Sequence, residues 1–99
     1  MIIYSVKICV AKEISKTWYK WMEEQHIPDI MNTNLFLEFK LYDNFEDNIR
    51  KKYLIQYKLE NFEQYKKYEM KYQNKFQKEH SSKFKNKFLA TRSLFIKIL

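Results

Sequence analysis

The sequence predicts an α+β domain: one four-stranded antiparallel sheet covered on one face by two helices. Three observations lead there. Apolar residues alternate in four segments, aromatic residues recur every three to four positions in two others, and the segments run strand, helix, strand, strand, helix, strand. The 99 residues suit a single domain over positions 1–99 and leave no room for a second.

Ile2 to Val10 sets Ile2, Tyr4, Val6, Ile8 and Val10 on one side and Ile3, Ser5, Lys7 and Cys9 on the other, the two-residue period of a strand. From Glu13 the period lengthens, with Ile14, Trp18, Trp21, Met22 and Gln25 at helical steps. Pro28 disfavours helix at the residue before it, so a break is expected at His26–Ile27, then a short turn through Asp29, Ile30 and Met31. Asn34 is expected to close that turn in the left-handed region.

Leu35 to Tyr42 and Tyr53 to Leu59 alternate again, and the polar stretch Asp43 to Lys52 between them predicts a long hairpin tip. Asn61 with Gln64 three residues on reads as a helix cap, followed by the stripe Phe62, Tyr65, Tyr68, Glu69, Tyr72 and Phe76. A break is expected at Ser81–Ser82, with a last strand over Leu89 to Leu99. Two βαβ units with right-handed crossovers give the ferredoxin-like βαββαβ arrangement.

On the sheet face away from the helices, Ile3, Phe36, Leu54, Phe95 and Leu99 are expected to mix with Ser5, Lys7, Gln56, Thr91 and Ser93. A face open to water is mostly polar, so a second copy is expected to cover this one.

Composition narrows the function. With 45% hydrophobic, 18% aromatic and 31% charged residues, a packed core is affordable. Glycine is absent, which excludes phosphate loops, dinucleotide fingerprints and the glycine-bearing calcium loop. A lone cysteine and the absence of a signal-like or membrane-spanning run predict a cytoplasmic protein outside the membrane. His26, His80 and Cys9 lie in different elements without ligand spacing, so no metal and no cofactor are expected.

The charge is lopsided. Residues 1–50 carry 6 Lys/Arg against 8 Asp/Glu, and residues 51–99 carry 13 against 4, for a net +7. Only Arg50 and Arg92 are arginines, a bias that AT-rich coding alone produces. Lys67, Lys71, Lys75 and Lys78 form a ridge on the long helix, which could follow phosphates. The aromatics face the other way and cannot stack on bases, so nucleic acid is not the expected partner.

The opening MIIYSVKICV, the pattern Trp18-x-x-Trp21-Met22 followed by His26-Ile27-Pro28, the strand Ile55-Gln56-Tyr57, and Lys87-Phe88 with Arg92 resemble an uncharacterised bacterial family of about a hundred residues, a domain of unknown function in the dimeric α/β-barrel superfamily. The resemblance implies a ferredoxin-like fold and a homodimer, and it assigns no activity. This chain has Asn34 and a glycine-free hairpin where that family's pattern expects glycines.

The candidate site residues are few. His26, beside Pro28, is the one candidate for acid–base catalysis, against the plainer role of a helix-terminal imidazole bonded to a carbonyl. Trp18, Trp21 and Met22 are candidate walls of a ligand pocket, or simply core. Arg92 shares the parity of Ala90, Leu94 and Ile96 and would point at the helices, where a charge cannot stay unpaired. A bulge could turn it away, a carboxylate such as Glu69 or Glu79 could pair with it, or it could anchor an anionic ligand. Ser5, Gln56 and Ser93 suit interface hydrogen bonds, and Cys9 a small packed residue. The expected function is binding of an apolar or weakly anionic small molecule between helices and sheet, by a binder or a cofactor-free enzyme. The competing reading is a basic accessory protein that binds polyanions or nucleic acid through the lysine ridge.

Overall fold

Strand β1 (Ile2–Val10) lies inside the sheet because nearly every residue in it is apolar or small. It pairs antiparallel with β3 (Lys51–Leu59) on one side and β4 (Phe88–Ile96) on the other, and β2 (Glu38–Asp43) completes the order β2-β3-β1-β4. This is the predicted four-stranded antiparallel sheet with two helices. The computed structural model describes residues 1–46 and 49–99. Part of the expected hairpin tip, Asp47 and Asn48, lies outside the described residues.

The first helical layer, residues 15–31, does not break at Pro28. Ser15–Trp21 is α-helical, Met22–His26 forms a wide π turn, and Ile27–Met31 is α-helical again. The Ile27 N–H reaches back to the Met22 carbonyl, one residue further than in an α-helix. The ladder has therefore already shifted when it meets a proline with no N–H to offer, and the chain continues. The wide turn also brings Trp18, Met22, His26, Ile27 and Ile30 to the buried side together. Asn34 adopts φ 63°, the predicted left-handed turn, and Asn86 repeats it before β4.

The second helical layer, residues 62–83, starts as expected, with the Asn61 side chain accepting from the Gln64 N–H at 3.0 Å. A second π turn, Glu69–Gln73, rephases it so that Tyr65, Tyr68, Phe76 and His80 are buried while Phe62 stays half exposed. The break expected at Ser81–Ser82 is absent. The helix runs to Lys83, because two serines cannot outweigh the burial of His80 and Phe84 on either side of them.

Strand boundaries shift: β2 takes in Asp43 and β3 takes in Lys51 and Lys52 from the expected hairpin tip, and β4 starts at Phe88. β2 begins at Glu38, and Phe36, expected on the open sheet face, is buried beneath the second helix against Tyr68 at 4.8 Å and Tyr57 at 5.1 Å. Alternation holds only where the ladder holds, and Phe36 precedes its first bond, Leu37 N–H to the Lys58 carbonyl. β4 ends at Ile96, so Ile98 and Leu99 extend past the sheet.

The core lies between the helices and the central strands. Ile2, Tyr4, Val6, Ile8 and Val10 meet Tyr53, Ile55, Tyr57 and Leu59 there, and Trp18 and Leu59 are fully buried. Much of it is aromatic: Tyr4, Phe36, Tyr57, Tyr65 and Tyr68 form a network of rings with centroids 4.8–6.5 Å apart.

Candidate functional site

His26 and His80 face each other across the seam between the two helical layers, ring centroids 5.7 Å apart. Trp18 fixes one of them: its indole N–H donates to His80 Nε2 at 2.9 Å. An imidazole nitrogen that accepts is unprotonated, so neutral His80 carries its proton on Nδ1. Trp18 is itself held by stacking on Tyr53 at 4.6 Å. His26 is sandwiched differently, with Trp21 stacked on its face at 4.6 Å and the Phe76 ring edge-on at 5.9 Å. Trp18 and Trp21, expected as walls of a ligand pocket, instead pack against the two imidazoles and orient them.

Both histidines are more than nine-tenths buried, and the Nδ1 atoms of both lack a hydrogen-bond partner. These nitrogens belong to residues lining a cavity of about 30 Å³, bounded also by Tyr4, Tyr68, Gln77 and Arg92 and otherwise by core side chains such as Val6, Met22, Ile55 and Phe76. That is room for a water molecule or the head of a small polar group, and too little for an apolar ligand. Burial, with the neighbouring imidazole adding to it, lowers His26 to about 4 against a weaker opposing pull from Asp29. Burial, with Arg92 adding to it, lowers His80 to about 4. Both are neutral at pH 7.

Arg92 stands at the edge of this cavity. β4 is in regular register with Val6 opposite Arg92, so no bulge turns the side chain away. No carboxylate pairs with it among the described residues either. Glu69 is bonded to Lys66 at 2.9 Å, and no ion pair links Arg92 to Glu79. Its charge acts on the Tyr4 phenol, whose pKa burial nevertheless pushes up. Because β4 is an edge strand that the helices cover incompletely, Arg92 remains solvent-exposed while reaching this group, which accounts for an unpaired charge on the helix side.

His80, Gln77 and Tyr4 were not singled out from the sequence as site residues. The available signal was the spacing Phe76, His80, Phe84, which places an imidazole in the middle of a buried stripe.

The remaining candidates lie elsewhere. Cys9 is a free, half-buried thiol on the open sheet face. Ser5, Gln56 and Ser93 are opposite one another in register there, and Ser5 is 5% exposed. Lys67, Lys71, Lys75 and Lys78 are all exposed on the outer side of the second helix. Among the described residues no three metal-ligating side chains cluster, and no helix is long and apolar enough to cross a membrane.

Two solved structures share the fold. A de novo designed protein, Foldit4, superposes with a TM-score of 0.69 at 11% identity over 98% of both chains. A dimeric ferredoxin-like protein from an uncultured marine organism gives 0.58 at 14% identity, over 99% of this chain and 98% of its own. At such identities the likeness concerns the ferredoxin-like fold alone. No curated protein matches the chain. The family model that does match covers residues 1–98, and by it the chain belongs to DUF4286, a domain of unknown function.

Proposed function

We propose that the protein is a homodimer that recognises a small anionic group, a carboxylate or phosphoryl oxygen on a small molecule, at the Arg92 mouth of the His26–His80 cavity. One observation carries this reading: an arginine with no carboxylate partner among the described residues borders a cavity lined by two buried histidines whose Nδ1 atoms have no partner. The Arg92 fork supplies charge-assisted bonds and His80 Nδ1–H a fixed donor, with Trp18 setting its tautomer. An entering anion would offset the Arg92 field, while burial, the larger cause, keeps His26 a neutral hydrogen-bonding imidazole. Trp21, stacked on His26, keeps that ring in place. The same constellation serves a binder or a cofactor-free enzyme.

The homodimer is supported by the open sheet face, which leaves Phe95 55% and Leu89 69% exposed, and by the marine ferredoxin-like neighbour being described as dimeric.

A thermal-shift series at constant ionic strength tests the site. Acetate and phosphate should raise the melting temperature of the wild type, uncharged isosteres should not, and Arg92→Met should abolish the response while keeping the fold. No anion-dependent shift, or an equal shift in Arg92→Met, overturns the reading. Light scattering should give about twice the 12.4 kDa chain mass. Tight, steeply salt-dependent binding of DNA without an anion shift would favour the lysine ridge instead.

A further inference from the structure

We infer that the small anion carries a hydroxyl of its own, as an α-hydroxy acid does, and that His26 and His80 read that O–H together. The inference rests on the Arg92 anion site and names the ligand class that site takes.

The two imidazoles are not equivalent. His80 accepts the Trp18 indole N–H on Nε2 at 2.9 Å, so the proton of the neutral ring sits on Nδ1, which is sealed and without a partner. His26 also has a sealed, unpartnered Nδ1, but its Nε2 is not sealed in that way. A neutral ring keeps its proton on the nitrogen that can donate it, and a bare lone pair costs less to enclose than an N–H. His26 therefore holds the opposite tautomer, with the proton on Nε2 and a lone pair on Nδ1.

The rings lie 5.7 Å apart by centroid and make no bond to each other. One offers a proton and the other a lone pair, so the group that satisfies both accepts from His80 and donates to His26. A hydroxyl does this, whereas a carboxylate oxygen can only accept. The size agrees, since a cavity of about 30 Å³ takes one oxygen-sized group. Arg92 lines the same cavity and its charge acts on both rings. The carboxylate thus stays with the guanidinium at the mouth while the hydroxyl on the adjacent carbon enters. A site whose enclosed polar groups need an O–H rejects an analogue without one more sharply than it rejects a change of shape.

Glycolate, fluoroacetate and acetate provide the test at neutral pH and constant ionic strength, because fluorine is close to the hydroxyl in size but has no proton to give. Thermal-shift titrations of the wild type should show all three binding, with glycolate about tenfold tighter than the other two. In His26→Leu glycolate should lose that advantage. Nitrogen NMR of the wild type, which depends on no variant folding, should find His80 protonated on Nδ1 and His26 on Nε2. Equal binding of the three acids, as a water that keeps its place between the rings would give, overturns the hydroxyl reading while leaving the anion site intact. Protons on Nδ1 of both rings overturn it as well. No response to any of the three overturns the anion site and this inference with it.

Discussion

The two faces of this sheet are built from the same four strands, yet one became a core and the other stayed half open. Toward the helices β1 presents Ile2, Tyr4, Val6, Ile8 and Val10, each no more than 8% exposed. Toward the open side it presents Ile3, Ser5, Lys7 and Cys9, of which Ser5 alone is buried. Burial on the first face comes from two amphipathic helices supplied by the same chain. The second face has no such cover within the chain, and it mixes polar with apolar side chains. Polar groups enter the two faces differently as well. Beneath the helices His26 and His80 are enclosed by rings and forced neutral, whereas Lys7 stands exposed to solvent.

Substitutions should separate the two faces by size of effect. Trp18→Ala should be the most damaging, costing about 3–5 kcal/mol, because it opens a cavity and removes the donor that satisfies His80. Urea unfolding reads this directly. A loss below about 1 kcal/mol would mean that the helix-side core tolerates repacking.

Acid should come next. His26 and His80 sit near 4 in the folded state against about 6.5 when unfolded, so the unfolded chain takes up their protons first. Their contribution is whole above about pH 6.5 and is lost as pH falls toward 4, on the order of 3 kcal/mol per histidine. Urea titrations between pH 7 and 4 should show this slope, and His26→Leu should flatten part of it. A flat profile in the wild type would show that the imidazoles are not sealed from water.

The cap at Asn61 holds the helix layer by a local bond alone. Asn61→Ala should cost about 1 kcal/mol, whatever the state of either face. Leu89→Asp on the open face should change the intrinsic stability of one copy least, within about 0.5 kcal/mol, since the side chain is 69% exposed. It should still weaken self-association measurably in sedimentation or light scattering. If instead it unfolds the protein, the open face is needed for folding and the contrast between the faces fails.

Local sequence signals located most elements. The alternation in β1 and β3, the Asn61 cap and the Asn34 turn are each set by neighbours within a few residues, and each is found where the letters place it. His26 and Arg92 line one small cavity, and Trp18 and Trp21 pack behind its two histidines. His80 was hidden because its partner Trp18 lies 62 positions away. No local pattern encodes that distance.

What the sequence determined by itself was therefore the order of strands and helices, the aromatic character of the core and the basic second half, since periodicity, capping and charge act over a few residues. The tertiary structure alone decided the rest. It carried the first helix through Pro28 on a π turn, drew Phe36 into the core, passed over the serine pair and left Arg92 unpaired beside two neutral histidines. Each of those outcomes balances a local preference worth a kcal/mol or so against burial of several side chains, and that balance exists only once distant segments meet.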